Sequence, residues 1–425
     1  RSFGLTIAAL GFLSASIGVV IYIKILKKNG EDKWVKKVIA NAFREYVHTP
    51  LERETAAKLY DEFLRVSIST LEQFANCRYR YFASSGLGLS EREEYGLENT
   101  DMGNLAHDVL EEVGKGLKKE NKDFADVEAK AAETAIEEAI DKLTEEYNGD
   151  ILKSDERTKY YARQLSRIMK RTVKTLGFQL SKGRFKPDEY EKRFETIYDV
   201  GEAQRGKVIL NGRVDRADIY DDSNGNKYVK IIDYKSSSHK FSAEGIKNGT
   251  SLQLAIYMKS MLEALKEKYP NDNILPAAML YYAIDDPFVS DEKNAEDAIK
   301  KELIPTGAIV NDEKILESLD KDLAEAGAKS EVVPVKINKD KSVAKTSSVY
   351  SPEDFNAFLE MAEEKAISLS KEILSGAIEI NPIKNSKDDT ACKYCVLNGI
   401  CGFDERIKGY EYRIPESTGD EEEAQ

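Results

Sequence analysis

Hydrophobic and polar positions follow two different periods along the chain. Up to Lys182 the apolar residues recur at helical spacing, whereas after Gly183 and Pro187 they follow the alternation of strands. Ser69 or Thr70 is placed to cap one of the helices. The predicted helical segments are Glu31–Val47, Leu51–Phe63, Leu71–Phe82, Gly103–Lys119, Asp123–Tyr147 and Asp155–Lys182.

The strand pattern begins with Glu189–Val200 and continues with two β-rich runs, Val208–Tyr220 and Lys227–Ser236. The pair Asn224-Gly225 between the two runs favours a tight turn, so we expect a β-hairpin. Helices followed by strands with flanking helices predict an α/β fold in which helices surround a mixed sheet. The later segments are predicted as helix Thr250–Lys268, buried strand Ala277–Ile284, irregular stretch Asp285–Ser330, strand Val332–Ile337, helix Pro352–Gly376 and the cysteine-bearing loop Asn381–Phe403.

The composition of the chain limits how it can bind nucleic acid. Its 425 residues suffice for two domains, and 33% charged with 41% apolar residues is ordinary for a soluble protein. The net charge of −13 excludes attraction of DNA by overall charge, so any such binding must use local basic patches such as Lys170-Arg171. The acidic end Glu416–Gln425 is predicted to be a disordered tail.

The beginning of the chain is unusually apolar. Because the first residue is Arg1 rather than Met, we expect a fragment or a processed product. Phe3–Leu26 is interrupted only by Lys24 and is just long enough to span a bilayer. A signal peptide fits poorly, since Arg1 alone precedes the segment and no cleavage site is clear. We interpret the segment as a buried helix, so no membrane association is expected.

The predicted hairpin carries the first candidate site. Asp215 lies on its first strand, and Asp233 and Lys235 lie two positions apart on its second strand, so they share a face. Two carboxylates and a lysine on one sheet face can hold Mg²⁺ against a phosphate and place an ammonium beside the attacking water. This combination indicates a phosphodiesterase. Asp218 is interpreted instead as a surface or ion-paired carboxylate beside Arg213 or Arg216.

Two predicted helices add candidate residues. His107 follows Gly103 by one helical turn, and the glycine leaves room for close approach of a backbone or a DNA strand. An imidazole beside two carboxylates is a reasonable ligand set for a divalent metal. Gln253 and Tyr257 lie one turn apart on one helix face. Packing explains Tyr257 equally well, whereas Gln253 among apolar neighbours suits the orientation of Lys235, a water or a phosphate.

The chain has only four cysteines, and three of them are close together. Cys392, Cys395 and Cys401 form C-x2-C-x5-C, and Cys77 is far away in the sequence. Four thiolates fit a zinc ion, a [4Fe–4S] cluster or two disulfides. Zinc sites usually consist of two tight pairs, so the arrangement of three near ligands and one remote ligand favours the cluster. Either metal would join the region after Ser69 to the C-terminal loop, which is a structural role.

One apparent phosphate-binding loop is rejected. Gly201–Val208 nearly matches GxxxxGK[ST], but Val208 replaces the hydroxyl residue that would contact Mg²⁺. The segment also leads into a strand rather than into a helix N-terminus, which is the element that holds phosphates. We therefore predict no ATPase motif in this chain.

Taken together, these residues resemble the RecB-like branch of the PD-(D/E)xK nucleases. The resemblance is closer to the C-terminal nuclease region of the B subunit of AddAB-type helicase-nucleases. Each motif alone is weak, whereas the ordered set is highly specific. From about Leu64 to Pro415 the matching stretches are Leu64–Glu72 with Cys77, Gly103 with His107, Gly212–Arg216, Asp233–Ser236, Gln253 with Tyr257, and Cys392, Cys395 and Cys401 with Gly402-Phe403-Asp404.

The resemblance implies a restriction-endonuclease-like mixed sheet flanked by helices, with a helical N-terminal segment. It implies that Mg²⁺ is bound by His107, Asp215, Asp233 and the backbone carbonyl of Tyr234. It makes Lys235 the catalytic lysine and Gln253 a phosphate- or lysine-orienting residue, with Tyr257 in support. It also implies a [4Fe–4S] cluster, which holds the nuclease domain together through Cys77, Cys392, Cys395 and Cys401.

The resemblance also implies a domain division and a role. Residues 1–63 would be a helical remnant of a helicase-like region, 64–415 the nuclease domain and 416–425 the acidic tail. The function implied is a Mg²⁺-dependent DNA exonuclease that resects double-strand break ends for recombinational repair and cuts the 5′-terminated strand. Linear DNA ends, entering as a single strand, would be the substrate. The partner would be an A-type motor subunit, in the bacterial cytoplasm.

Two other functions remain alternatives. The first is a non-catalytic, cluster-stabilised DNA-binding scaffold, which the set of His107, Asp215, Asp233 and Lys235 disfavours. The second is a stand-alone iron–sulfur exonuclease of the kind found in CRISPR adaptation, which shares the same motifs. The chain length and the helical region before Cys77 favour the helicase-nuclease subunit. Copurification with a large ATPase distinguishes the two nucleases.

Overall fold

The computed structural model describes residues 45–60, 63–92, 99–146, 156–200, 206–289 and 294–416, together with residues 24, 36, 37 and 40. Apart from Lys24, the apolar segment Phe3–Leu26 lies outside these residues, and so does the tail beyond Glu416. Within the described residues, no helix is long and apolar enough to cross a membrane. The predicted domain limits at residues 63 and 415 stay predictions.

A seven-stranded mixed sheet forms the centre of the fold, in the order β1-β3-β4-β5-β6-β7 with β2 paired to β3. Strands β3 and β4 are the predicted hairpin, antiparallel and joined at Asp222–Gly225, which confirms that prediction. β4 pairs in parallel with β5. The strands are β1 (Phe63–Ser67), β2 (Lys186–Asp199), β3 (Lys207–Asp221), β4 (Asn226–Lys235), β5 (Asn273–Ala283), β6 (Thr306–Val310) and β7 (Val349–Tyr350).

Strand β3 is shared between three neighbours, and this sharing creates a fork. β2 pairs with β3 along almost its whole length, so β1 and β4 must use the other edge in turn. The β1 ladder ends at Ser67 opposite Asn211, and the β4 ladder ends at Ile232 opposite Arg216. The stretch of β3 between these ladders therefore faces a gap in the sheet, and Asp215 lies in that stretch.

Helices pack around the sheet in two groups. One group contains the three helices before β2, which pack on one another, and the first of them, Asn99–Lys119, contacts β2. The other contains α2, α8 and α11, and α8 contacts β3, β4 and β5. The helices are α1 (Arg53–Tyr60), α2 (Ile68–Asn76), α3 (Arg78–Tyr81), α4 (Asn99–Lys119), α5 (Ala129–Glu146), α6 (Glu156–Lys182), α7 (Ala243–Asn248), α8 (Gln253–Lys268), α9 (Ala295–Glu302), α10 (Glu313–Leu319), α11 (Pro352–Leu374) and α12 (Asn398–Cys401).

Two predicted elements near β1 differ in the structure. The helix expected to end at Phe63 ends at Tyr60, and Phe63 begins β1. The helix expected over Leu71–Phe82 starts earlier, since Ile68 and Ser69 are already helical. Ser67 is therefore the N-cap, and its side chain accepts a hydrogen bond from the Thr70 N–H while Thr70 bonds back to the Ser67 N–H. This helix also breaks at Cys77, where the backbone is extended.

The region after β5 is more regular than predicted in one place and less regular in another. The stretch Asp285–Ser330 contains α9, β6 and α10 rather than irregular chain alone. The prediction of a strand over Val332–Ile337 is wrong, because this stretch forms only isolated β-bridges. Pro334 has no N–H to donate, and the N–H groups of Val332 and Val333 both donate to the Ser330 hydroxyl at 3.1 Å.

Candidate active site

Three side chains converge beside the fork. His107 comes from α4, Glu191 from β2 and Asp215 from β3, and one donor atom of each lies within 4.8 Å of the others. His107 Nδ1 is 3.4 Å from Asp215 Oδ2 and 3.8 Å from Glu191 Oε1. Both carboxylates are buried, with Glu191 9% and Asp215 5% exposed. An imidazole and two buried carboxylates at this spacing form a candidate site for a divalent metal.

The backbone around the fork explains how these carboxylates meet. Glu191 lies between residues that pair with Arg216 and Val214, so it is opposite Asp215 across the β2–β3 ladder. Glu191 has a φ of 51°, a left-handed conformation that is costly for a residue with a side chain. Because β4 leaves the ladder after Ile232, the Tyr234 N–H is free to donate to Asp215 Oδ2 at 2.7 Å.

A second group of polar side chains surrounds the end of β4. Lys235 Nζ lies 2.6 Å from Asp233 Oδ2, which confirms that these residues share a face. Lys235 Nζ also donates to Gln253 Oε1 at 2.6 Å, and Gln253 Nε2 donates to the Tyr257 hydroxyl at 2.9 Å. A Cβ on Gly212 would lie 2.9 Å from Tyr257 Cε1, so this glycine lets Tyr257 approach the strand.

Burial and neighbouring charges shift the pKa values of the acidic groups and of the histidine in the site. Burial, followed by the charge of Asp215, raises the pKa of Asp233 to about 7, although Lys235 acts in the opposite direction. Burial also raises the pKa of Glu191. For His107, burial lowers the pKa, but the ion pairs with Asp215 and Glu191 outweigh it and raise the value to about 10. Arg213 also pairs with Glu191, with its Nε 2.5 Å from Glu191 Oε2.

Comparison with known proteins agrees with this geometry. A family model described as the PD-(D/E)XK nuclease superfamily matches residues 65–402. The chain belongs to the PD-(D/E)XK nuclease superfamily. This confirms the fold class, with its mixed sheet flanked by helices, and agrees with the resemblance drawn from the motifs. The match includes His107, Glu191, Asp215, Asp233 and Lys235.

Curated relatives of this nuclease-superfamily chain are proteins named as the B subunit of an ATP-dependent helicase/deoxyribonuclease. The protein from Lachnoclostridium phytofermentans is 35% identical over 397 residues, which are 91% of this chain and 33% of the relative. The protein from Alkaliphilus oremlandii is 34% identical over 93% of this chain and 35% of its own length. The protein from Clostridioides difficile is 34% identical over 96% of this chain and 36% of its own length. The chain thus spans about a third of the length of the curated relatives it matches.

The predicted site residues fall into two classes in this superfamily member. The structure brings together His107, Asp215, Asp233, Lys235, Gln253 and Tyr257. Asp218 lies apart from them and is ion-paired with Arg216, as one of the two predicted alternatives has it. The Tyr234 side chain bonds to Arg216 at 3.1 Å, and the proposed metal-binding role of its carbonyl stays a prediction.

Sequence reasoning missed two acidic residues. Glu191 had no motif of its own, and only the register of β2 on β3 places it opposite Asp215. Glu72 lies on α2, and its Oε1 accepts the N–H groups of Leu252 at 2.6 Å and Gln253 at 3.0 Å. Burial raises the pKa of Glu72 to about 7. Glu72 therefore anchors the start of α8, where Gln253 holds Lys235.

All four cysteines line one small cavity at the C-terminal end of α2. Cys77 ends α2 and is buried, while Cys392, Cys395 and Cys401 come from the C-terminal loop. Burial raises the pKa of Cys77, and it raises that of Cys392 to about 11. The Ile383 N–H donates to the Asn76 carbonyl at 2.9 Å, so the loop is also tied to the end of α2 through the backbone.

Proposed function

We propose that the chain is the nuclease region of a B-type helicase-nuclease subunit, and that it hydrolyses phosphodiester bonds in DNA with the help of Mg²⁺. The observation that carries this proposal is the position of Lys235 beside the buried carboxylate of Asp233, which in turn is close to Asp215. Asp233 holds the Lys235 Nζ at 2.6 Å, and Asp215 with His107 lies next to Asp233. Superfamily membership and the names of the relatives support the same chemistry.

The residues present fit a bound Mg²⁺. His107, Glu191 and Asp215 would hold the ion through donor atoms that lie within 4.8 Å of one another. Asp233 and the Tyr234 carbonyl would complete an oxygen-rich donor set of the kind that Mg²⁺ prefers. When bound, Mg²⁺ supplies a Lewis acid for the phosphate and lowers the pKa of a coordinated water. The family resemblance suggests His107, Asp215, Asp233 and Tyr234 for this set, and Glu191 is a fifth candidate because of its position beside His107.

The protein's own groups position the reactants. Lys235 is fixed between Asp233 and Gln253, and it can donate to the attacking water or to a phosphoryl oxygen. Gln253 is itself held at its backbone by Glu72 and at its side chain by Tyr257. Because the ammonium is held on two sides, little reorientation is needed when charge develops on the phosphate.

All four cysteines line one cavity, which supports a metal centre held by four thiolates. The arrangement of three near ligands and one remote ligand in the sequence favours a [4Fe–4S] cluster over zinc. Anaerobic purification should yield iron and acid-labile sulfide in equal amounts, and Cys77→Ala should lose both. Stoichiometric zinc without sulfide would contradict the cluster.

The wider role rests on the family resemblance and is part of the proposal, since the names of the relatives give only the B subunit of an ATP-dependent helicase/deoxyribonuclease. The chain would act as an exonuclease on linear DNA ends, cut the 5′-terminated strand and work beside an A-type motor subunit. Resection of double-strand breaks in the bacterial cytoplasm is the process that such an enzyme serves. Reconstitution with the motor subunit and strand-specific end labels tests strand choice and partnership together.

The central experiment uses end-labelled linear DNA and anaerobically purified protein, with Mg²⁺ or with EDTA. We expect degradation that needs Mg²⁺ and that Asp233→Asn abolishes. Asp221→Asn is the matched control, because Asp221 lies at the exposed end of the same hairpin and pairs with Lys227. Equal loss in both variants would contradict the assigned site. A folded, cluster-bearing wild type that binds DNA without cutting it would instead support the scaffold alternative.

A further inference from the structure

A large cavity opens beside the proposed metal site. It has a volume of about 420 Å³ and lies between α4, α6 and the segments that follow β4 and β5. This size falls within the roughly 300–1,000 Å³ of cavities that bind small ligands. His107 contributes to its wall, and so do Ser236 and Ser237, which directly follow Lys235. The cavity is therefore continuous with the site where cleavage is proposed.

The lining of the cavity suits a flat, uncharged group. Met102 and Ala106 of α4 face Leu165 and Ile168 of α6 as apolar surface. Tyr161 adds an aromatic ring, and the polar groups at the wall include the amide of Gln164 and the hydroxyls of Ser236 and Ser237. Apolar surfaces with a few amide and hydroxyl groups are typical of sites that stack a base and bond to its edge.

The same lining does not suit a phosphate. Among the described residues that form the wall there is no lysine or arginine, and Asp285 contributes a carboxylate instead. A phosphate inside the cavity would therefore meet the Asp285 carboxylate, and the imidazole of His107 at the wall already faces Asp215 and Glu191. The phosphates of a bound strand must lie toward the metal site and Lys235, which leaves the cavity for the base attached to one of them.

We propose that this cavity binds one unstacked nucleobase of a single DNA strand, next to the phosphate that is cut. The inference rests on the proposed nuclease function and on the single-stranded substrate that the resemblance implies, and it names the place where one base of that strand lies. A base inside a duplex is stacked on both faces and paired at its edge, so it cannot enter such a cavity without leaving the helix. A single strand enters without the cost of unpairing. The cavity thus selects single-stranded DNA at the site, whatever the sequence.

The test measures binding one base at a time. A fluorescent single-stranded oligothymidylate is titrated with Asp233→Asn protein in Mg²⁺, so that the strand is bound but not cut. A series of oligonucleotides, each lacking the base at one position, is then compared. Stacking of a base on protein is worth about 1–3 kcal/mol, so we expect one abasic position to weaken binding about tenfold while the others have little effect.

Filling variants connect that position to the cavity. Ile168→Trp occupies the cavity and should remove the difference between intact and abasic strands; Gln164→Trp is a second filling variant should the first not fold. Ala132→Trp is the matched control, since Ala132 lines a separate cavity of about 360 Å³ away from His107. This control should keep the tenfold difference. Melting temperatures of all three variants are measured to verify folding.

The outcomes separate this inference from the proposed function. If the wild type cuts DNA but no single abasic position weakens binding, the base-binding role of the cavity is overturned and the nuclease proposal stands. An abasic effect that Ile168→Trp leaves intact would do the same. If wild-type protein cuts no DNA, the nuclease proposal fails, and the binding series still decides whether the cavity holds a base. One sensitive position, lost on filling and kept in the control, supports the cavity.

Discussion

Asp218 and Asp233 lie on neighbouring strands of one hairpin and are equally inaccessible, with 0% and 2% of their surface exposed. Their pKa values nevertheless shift in opposite directions. Burial disfavours both charges, but Arg216 and Lys230 together bring the pKa of Asp218 below its usual value. For Asp233, burial and the charge of Asp215 dominate over Lys235, and its pKa rises to about 7.

The difference lies in the number of cations around each carboxylate. Asp218 accepts from Arg216 at 2.8 and 3.0 Å and lies 2.9 Å from Lys230 Nζ, so its charge is fully compensated. Asp233 has one lysine beside a second carboxylate. A buried acid with too few cations is the usual mark of a functional site, since the fold alone gains nothing from it. Asp218 with Arg216 and Lys230 therefore serves stability, whereas the shortage of positive charge at Asp233 agrees with the metal site proposed beside it.

The largest expected effect separates these two roles. Asp218→Ala leaves Arg216 and Lys230 buried without their partner, so we expect the free energy of unfolding to fall by about 3–5 kcal/mol. Asp233→Asn should leave stability unchanged or raise it, because it removes repulsion from Asp215. Urea denaturation of both variants measures the contrast. Similar losses in the two variants would show that both clusters are structural.

The next effect concerns catalysis rather than stability. Lys235→Met removes a positioned donor, and we expect the cleavage rate to fall roughly 10²–10³-fold with little change in melting temperature. Lys227→Met is the matched control on the same strand, because Lys227 pairs with Asp272 at the far end of the hairpin. Single-turnover rates at saturating protein measure the chemical step. A Lys235→Met protein that cuts at the wild-type rate would remove Lys235 from the mechanism.

A third prediction uses the pH dependence of stability. Between pH 4.5 and 7 the folded protein keeps a proton on Glu72 that the unfolded chain has lost, because burial raises the pKa of Glu72 to about 7. This contribution is complete at low pH and is lost as pH rises, by about 3 kcal/mol in total. Glu72→Gln keeps the acceptor oxygen and should abolish the loss. Urea denaturation measures the free energy of unfolding of the wild type and of Glu72→Gln at each pH. The same pH dependence in both proteins would contradict the prediction.

The smallest effect is on metal affinity. Ligands must lose their protons before they bind a metal, so Mg²⁺ competes with protons at Asp233 and His107. The pKa values are about 7 for Asp233 and about 10 for His107. Metal binding below pH 7 therefore displaces a proton from both groups, and metal binding above pH 7 displaces one from His107 alone. Affinity should therefore rise by about tenfold per pH unit for each proton released. Calorimetry in buffers of different ionisation enthalpy counts these protons, and a pH-independent affinity would contradict the ligand set.

The sequence predicted those features that depend on local pattern. The two-residue period of β4 placed Asp233 and Lys235 on one face, and the Asn224-Gly225 turn fixed the hairpin. The helical period placed Gln253 and Tyr257 together. The spacing of the cysteines predicted that Cys77 meets the C-terminal loop, and all four line one cavity.

Features that depend on pairing between distant segments were not predictable. Glu191 reaches Asp215 only because of the register of β2 on β3, and that register shifts between Pro187 and Glu189. Glu72 reaches α8 across a long stretch of intervening chain, and its own helix shows only an ordinary amphipathic pattern. Strand β6 is five residues long and too short to show a period.

The fork in β3 also affects how the protein folds. Phe63 pairs in parallel with Lys207, so the first ladder of the fork joins segments that are far apart in the chain. Closing such a long loop costs entropy before any contact compensates it, and parallel pairing over long separations forms slowly. During synthesis, the fork and the carboxylates around it can assemble only after the ribosome has released the hairpin and the start of α8. The nascent chain therefore cannot bring Asp215, Asp233 and Gln253 together until more than half of the 425 residues have been made.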